Sequence, residues 1–232
     1  MSLSVKTKVI NCTPGDLLGR PLNDVERKYA PPQLYVASNR PIPLPGPRFA
    51  IVGSRRASKE GIATAEHVAY TLAKKDVIIV SGLAEGIDSA AHRAAMEYGG
   101  STIAVLGTPL DKFYPAKNKE LQRKIMSDHW AISQFPIGYP TEPKSFVIRN
   151  RTMALICDAS VIIETGETSG SLHQGWEALR LGRPLFIWKK ILEDSGLKWP
   201  HEMVDYGAVV LENAEQIIDF LPSPNRIVEI AA

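Results

Sequence analysis

Arginines, glycines and small hydroxyls recur in this chain at the ends of apolar runs, and that mixture suits one kind of chemistry. Arg149-Asn150-Arg151 sits just ahead of a buried-looking run, and Gly166-Glu167-Thr168-Ser169-Gly170-Ser171 closes the run after it. A guanidinium forks onto a phosphate or carboxylate, glycine lets backbone N–H groups approach it closely, and hydroxyls add donors. The chemistry implied is the binding of an oxyanion. Three further stretches carry the same mixture. Gly53-Ser54-Arg55-Arg56 follows FAIV. Ser81-Gly82-Leu83-Ala84-Glu85-Gly86 follows DVIIV and leads into Ile87-Asp88-Ser89-Ala90-Ala91-His92. Gly107 to Lys119 follows STIAVL and interleaves Lys112, Lys117 and Lys119 with Phe113 and Tyr114, as phosphate contacts plus base stacking require.

Each stretch also has a plainer reading. The first could be a tight turn with solvated arginines. Asp88 could cap a helix, His92 could be a packed histidine, Phe113 and Tyr114 could turn inward, and Arg149 and Arg151 could form surface ion pairs. Their coincidence at successive strand ends favours one anion-binding rim over separate accidents. Arg149-Asn150-Arg151 is expected at the start of a helix, near its positive end. Neither a G-x-G-x-x-G fingerprint nor a P-loop is present. No Ser-His-Asp order, H-E-x-x-H or metal cluster appears, so no catalytic residue, metal or cofactor is expected.

The elements that must hold these loops follow from the apolar pattern. FAIVGS, DVIIVSG, STIAVLG, WAISQF, ASVIIETG, RPLFIW and GAVVLE read as strands. Helices are expected over 58–75, 87–98, 118–126, VIRNRTMALIC, SLHQGWEALRLG and AEQIIDFL. Ser58, with Gly61 three residues on, is a helix-start signal. β-branched runs alternating with helices predict a Rossmann-like, doubly wound, mostly parallel sheet with helices on both faces. In such sheets ligands bind outside the carboxyl ends of the strands, where the polar loops fall.

Residues 1–47 differ in composition. They hold Pro14, Pro21, Pro31, Pro32, Pro41, Pro43, Pro45 and Pro47. Proline fixes φ and supplies no backbone donor, so this extension is expected to wrap a core formed by residues 48–232. VKTKVI and QLYVA are its candidate edge strands. The 232 residues carry 27 basic and 25 acidic side chains, a net +2, so a basic surface must come from local clustering. Cys12 and Cys157 form no C-x-x-C pair, which points to a reducing compartment. With neither a leader-like start nor a membrane-spanning apolar run, a cytoplasmic protein with no membrane partner is expected.

GSRRAS, VSGLAEGIDSAAHRAAMEYGGSTIAVLGTPLDKFYP, NKEL, RNR and SGSL, in this order, resemble the DNA-processing protein A family (DprA, also called Smf). The likeness runs from Pro31 to Gly182, and more weakly to Leu221. It implies a Rossmann-like domain that binds single-stranded DNA without sequence preference, in a basic pocket at the strand ends. It further implies delivery of that DNA to the RecA recombinase in natural transformation, a homodimer, and no catalytic role. Carried onto matching positions, the pocket residues are Gly53, Ser54, Arg55, Ser81, Gly82, Lys117, Asn118, Lys119, Arg149, Asn150, Arg151, Ser169, Gly170 and Ser171. Departures from the family pattern are Glu85 in place of Arg or Lys, His173-Gln174-Gly175-Trp176 after SGSL in place of I-T, and PTEPKSFVI without the usual F-P. The N-terminal helical and C-terminal winged-helix modules of many members have no expected counterpart in these residues.

Two other functions fit related Rossmann-like groups. A small-nucleotide sensor would use Glu85, Asp88, Glu164 and Glu167 to read ribose hydroxyls. A nucleotide phosphoribohydrolase would need its P-G-G-x-G-T-x-x-E signature, for which GETSGSLHQGWE leaves only Glu177 as a stand-in.

Overall fold

The computed structural model describes residues 7–220. In chain order the elements are β1 (Val9–Cys12), α1 (Pro14–Leu18), α2 (Asp24–Arg27), β2 (Leu34–Ala37), β3 (Arg48–Val52), α3 (Lys59–Ala73), β4 (Ile78–Ser81), α4 (Ile87–Glu97) and β5 (Thr102–Leu106). There follow α5 (Lys119–Asp128), β6 (Trp130–Ser133), α6 (Pro143–Ile156), β7 (Ala159–Ile162), α7 (Ser171–Arg180), β8 (Leu185–Trp188), α8 (Lys189–Leu192), α9 (Trp199–Asp205) and β9 (Val209–Leu211). Short 3-10 turns occupy Ala116–Asn118 and Glu215–Phe220. The second of these is where AEQIIDFL was expected to be helical, and Leu221 lies outside the described residues.

One sheet runs in the order β1-β2-β6-β5-β4-β3-β7-β8-β9. From β6 to β9 along that order every pairing is parallel, whereas β2 pairs antiparallel with both β1 and β6. This is the expected doubly wound architecture. Successive residues of a strand face opposite sides, so β3 feeds two cores. Phe49 and Ile51 pack with Val68 and Leu72 of α3 and Ala91 and Ala95 of α4. Ala50 and Val52 pack with Met153 and Ile156 of α6 and Ala178 of α7.

The proline-rich segment adds two strands to this sheet. β1 stands at its end and takes in part of the VKTKVI run, whose Val5 and Lys6 lie outside the described residues. β2 is interior, with Leu34, Val36 and Ala37 fully buried. Both of its edges can pair because the prolines fall outside these four residues. Arg48 fastens the segment to the core. Its Nη1 donates to Leu44 O (3.2 Å) and Pro45 O (2.9 Å), its Nε to Ile156 O (2.6 Å), and its Nη2 to Asp158 Oδ1 (3.2 Å).

Two buried histidines make the fold acid-sensitive. His92 lies on α4 with Nδ1 2.6 Å from Thr102 Oγ1, a packed residue and not an accessible base. Burial, with help from His129, holds its pKa down to about 3. Burial and Arg40 hold His129 down to about 4. Both folded values lie below the unfolded histidine value, so their contribution is intact above about pH 6.5 and is lost as pH falls, because only the unfolded chain takes up the protons. Urea midpoints are expected to drop steadily between pH 7 and 5, with a limiting slope of about 1.4 kcal/mol per pH unit from His92 alone. A midpoint constant over that window would contradict the assignment.

Candidate functional site

Strand order reverses at β3. The chain runs outward through β4, β5 and β6, then returns to place β7 on the other side of β3. Such a switch point opens a crevice at the carboxyl ends of the two strands. A cavity of about 440 Å³ lies there, walled by Gly53–Arg56 after β3, by Thr168–Ser171 at the start of α7, and by Phe146, Arg149 and Asn150 of α6. A second lobe of about 290 Å³ reaches toward Glu85, Tyr114 and Pro115, and shares Arg55, Arg56, Ala84, Phe146 and Arg149 with the first.

Hydrogen bonds between the loops fix the walls. Ser171 Oγ donates to Gly53 O (3.0 Å), and Ser54 N–H donates to Glu164 O (2.6 Å). Ile87 N–H donates to Ser54 O (3.2 Å), and Asn150 Nδ2 donates to Gly170 O (2.8 Å). Four segments distant in sequence therefore present their ligand-facing atoms from one braced frame.

Arg149 is the central cation. Its Nη1 donates to Gly82 O (2.6 Å) and Val105 O (2.5 Å), and its Nε donates to Asn150 Oδ1 (3.0 Å). Among the described residues Nη2 has no acceptor, and the residue lines both lobes. Burial pushes its pKa down to about 10 against the attraction of Asp88, with Arg55 adding to the lowering, so it stays charged at neutral pH. Asp88 is pushed upward by burial, opposed by Arg149. Its carboxylate accepts from Gly82 N–H (3.1 Å) and Ala84 N–H (3.3 Å), which shapes the loop after β4.

Arg55 and Arg56 are exposed on the rim, and neither enters an ion pair among the described residues. The Arg55 guanidinium sits 5.6 Å from the Phe146 ring centroid, and Tyr114 packs on the same ring at 5.2 Å. The site thus combines two unpaired guanidinium groups, a third held from below, and a half-exposed aromatic ring. Geometry of this type accepts an anion with a flat group beside it.

The structure brings Gly53, Ser54, Arg55, Gly82, Arg149, Asn150, Ser169, Gly170 and Ser171 to the two lobes. The other five candidates stand elsewhere. Ser81 is fully buried and donates to Ile51 O (2.6 Å), joining β4 to β3. Asn118 is buried, and its Nδ2 donates to Leu83 O (3.0 Å) and Ala84 O (3.2 Å), bracing the loop after β4. Lys117 extends beside the second lobe with Nζ 3.5 Å from Glu85 Oε2. Lys119 covers the Phe113 ring at 5.6 Å. Arg151 pairs with Glu177 at 3.1 Å and lies 5.1 Å from the Tyr29 ring, against the N-terminal segment.

The helix carrying RNR begins earlier than the sequence predicts. α6 starts at Pro143, capped by Glu142 with Ser145, so Arg149–Arg151 lie mid-helix, away from its positive end. Two residues apart on a helix means about 200° of rotation, which is why Arg149 turns into the cavity and Arg151 away from it. The glycines also divide. A Cβ on Gly53 would strike Ile87 and Glu164 O, one on Gly82 the Arg149 guanidinium, and one on Gly107 the Phe146 ring. Gly166 and Gly170 face open space and leave room for a ligand.

The carboxylates suggested as ribose readers point elsewhere, apart from Asp88 and Glu85. Glu164 accepts from the Ser58 backbone and hydroxyl at the start of α3, and Glu167 accepts from Lys198 N–H (3.2 Å). Glu177 is bound to Arg151 and Arg180 and lines neither lobe. No group of three His, Cys, Asp or Glu side chains suited to a metal occurs among the described residues. Arg56, Thr168, Met153 and Gln174 also line the cavity. Arg56 and Thr168 were visible in the quoted loops, whereas Met153 and Gln174 carried no signal beyond lying on helices that flank them.

The family model DNA recombination-mediator protein A matches residues 20–222. The chain belongs to that family. The family's DNA processing protein DprA from Streptococcus pneumoniae R6 is 38% identical over 189 residues, which cover 82% of this chain and 66% of the relative. The X-ray structure of DprA from Streptococcus pneumoniae superposes with a TM-score of 0.77 at 33% identity, covering 94% of this chain and 76% of that one. DNA processing protein A from Helicobacter pylori, described for its single-stranded DNA binding mode, superposes with a TM-score of 0.75 at 23% identity, covering 92% and 95%. The chain spans about half to two thirds of the length of the first curated family relatives it matches.

Proposed function

We propose that this protein binds single-stranded DNA through its phosphates, independently of sequence, as a binding protein and not an enzyme. In this reading it serves DNA uptake and recombination in the cytoplasm, works as a homodimer and hands its strand to the RecA recombinase. Residues 1–47 serve as an extension of the DNA-binding domain of residues 48–232, with Arg48 fastening Leu44 and Pro45 to it. Among the described residues no helix is long and apolar enough to cross a membrane.

The observation that carries the reading is the convergence of Arg55, Arg56 and Arg149 around Phe146 at the β3/β7 switch point. Phosphates suit the guanidinium groups, and an unpaired base suits the ring, whereas a duplex keeps its base faces stacked. Membership of a recombination-mediator family supports the recombination role, and the Helicobacter relative's described binding mode supports the ligand.

The test compares a dT oligomer, duplex DNA, RNA and free nucleotides on the wild type and on Arg55→Ala. Single-stranded DNA is expected to bind most tightly, and the variant to lose about tenfold, as for one charge-assisted contact of about 1.4 kcal/mol. An unchanged variant would remove Arg55 from the site. Binding of mononucleotides without oligonucleotides would replace the proposal with nucleotide sensing.

A further inference from the structure

A third cavity stands apart from the two lobes and shares no lining residue with them. It holds about 210 Å³ between the start of α3, the residues after β7, and α8 with the loop that follows it. Its walls are of two kinds. Ile163, Trp188, Ile191 and Leu197 are apolar, whereas Glu60, Glu164 and Asp194 bring carboxylates to it. Lys190 pairs with Glu60. Glu164 and Asp194 enter no ion pair among the described residues. Glu164 accepts from Ser58 N–H (2.9 Å), and Asp194 Oδ1 accepts from Gly196 N–H (3.0 Å). A Cβ on Gly61 would strike the Glu164 carboxylate, so glycine there keeps room for it. A second observation points to a ligand. Thr165 lines the same cavity at 5% exposure, and its Oγ1 is buried with no hydrogen-bond partner among the described residues. An unmet buried hydroxyl is costly, so an occupant gains by bonding to it.

Two carboxylates without a counter-ion disfavour a phosphate or a nucleotide. The volume lies below about 300 Å³, the lower end of ordinary small-molecule sites, so the occupant is small. The carboxylates form no group of three suited to a metal ion among the described residues. The chemistry that remains is a small organic cation with an apolar body. We propose that this cavity is a second ligand site, for a short aliphatic diamine: one ammonium group donates to the Glu164 carboxylate and Thr165 Oγ1, the other donates to Asp194, and the methylenes between them lie against Ile163, Trp188 and Leu197. An ammonium group carries three donors, enough for a carboxylate and a hydroxyl together. Its bonds to carboxylates are of the strong, charge-assisted kind, and an indole in the wall favours a cation further. The site goes beyond the single-strand reading above and does not rest on it.

The test is calorimetric titration of the full chain, without DNA, with 1,4-diaminobutane, 1-aminobutane and 1,4-butanediol. The diamine is expected to bind saturably at one site, the monoamine about tenfold more weakly for want of one charge-assisted bond, and the diol not at all. Asp194→Asn keeps an acceptor for Gly196 N–H and removes the charge, and it is expected to weaken the diamine about tenfold. Thr165→Val keeps the shape and removes Oγ1, for a loss of about fivefold. Glu97→Gln, at the exposed end of α4, is expected to change nothing. No saturable binding of the diamine, or a diol that binds as well, would overturn the proposal. So would a Glu97→Gln loss equal to that of Asp194→Asn, which marks general charge attraction only. If Thr165→Val does not fold, the diamine and diol on the wild type, with Asp194→Asn, decide.

Discussion

Gly82→Ala is expected to weaken single-stranded DNA binding by about 100-fold, while Gly166→Ala in the adjoining lobe changes it by less than about threefold. The two glycines look alike in sequence, since both follow a strand and precede a helix. Their surroundings differ. A Cβ on Gly82 would occupy the space of the Arg149 guanidinium, whereas one on Gly166 would meet nothing within 4 Å. Arg149 cannot yield without breaking its bonds to Gly82 O and Val105 O, which hold it under the rim. Displacing it removes the central cation and strands buried carbonyls, so about 2–4 kcal/mol of stability is also expected to go. Anisotropy titrations with a dT oligomer, beside urea melts of both variants, check this. Equal affinities for Gly82→Ala and the wild type would show that Arg149 does not organise the site.

Arg48→Ala is expected to do the reverse and cost stability with little effect on binding. Arg48 is 9% exposed, and its side chain satisfies Leu44 O, Pro45 O, Ile156 O and Asp158 Oδ1 at once. Its removal leaves Asp158 without its cation and frees the turn into β3. Asp158 is 40% exposed and keeps the Arg48 backbone N–H, so the loss is mainly that of the donors to the three backbone carbonyls, about 2–3 kcal/mol, or about 5–10 °C in Tm for a chain of this length. Strand affinity measured at 10 °C, where the variant is still folded, is expected to stay within about threefold of the wild type, because Arg48 lies at the opposite end of β3 from the cavity. A Tm within about 2 °C of the wild type would refute the network's role.

The contrast between these two arginines shows what was legible in the sequence. FAIV, DVIIV, STIAVL and ASVII are continuous apolar runs because their strands are covered on both faces, and that pattern alone places the sheet and its loops. Ser58 caps α3 as expected, its hydroxyl accepting from Gly61 N–H (2.9 Å). Since parallel strands deliver their following loops to one edge, Gly53–Arg55 and Ser169–Ser171 meet as read. Burial of polar side chains was not legible. Arginine is exposed far more often than buried, so nothing local marks Arg48 and Arg149 as interior and Arg151 as exterior. The start of α6 was recoverable in principle, because Pro143 suits a first helical position, but the absence of a Ser, Thr, Asp or Asn cap hid it. Ser81 and Asn118 carry donors that look available in sequence and are spent on backbone carbonyls, a choice only the packing of β3 against β4 and of the loop after β4 decides.

The most direct test of the central claim is the salt dependence of dT-oligomer affinity for the wild type and Arg55→Ala. If Arg55, Arg56 and Arg149 each neutralise a phosphate, log affinity falls against log salt with a slope of about 2, at about 0.7 per phosphate, and Arg55→Ala lowers that slope by about 0.7. A wild-type affinity that barely moves between 50 and 200 mM salt, or slopes that do not differ between the two proteins, would contradict it.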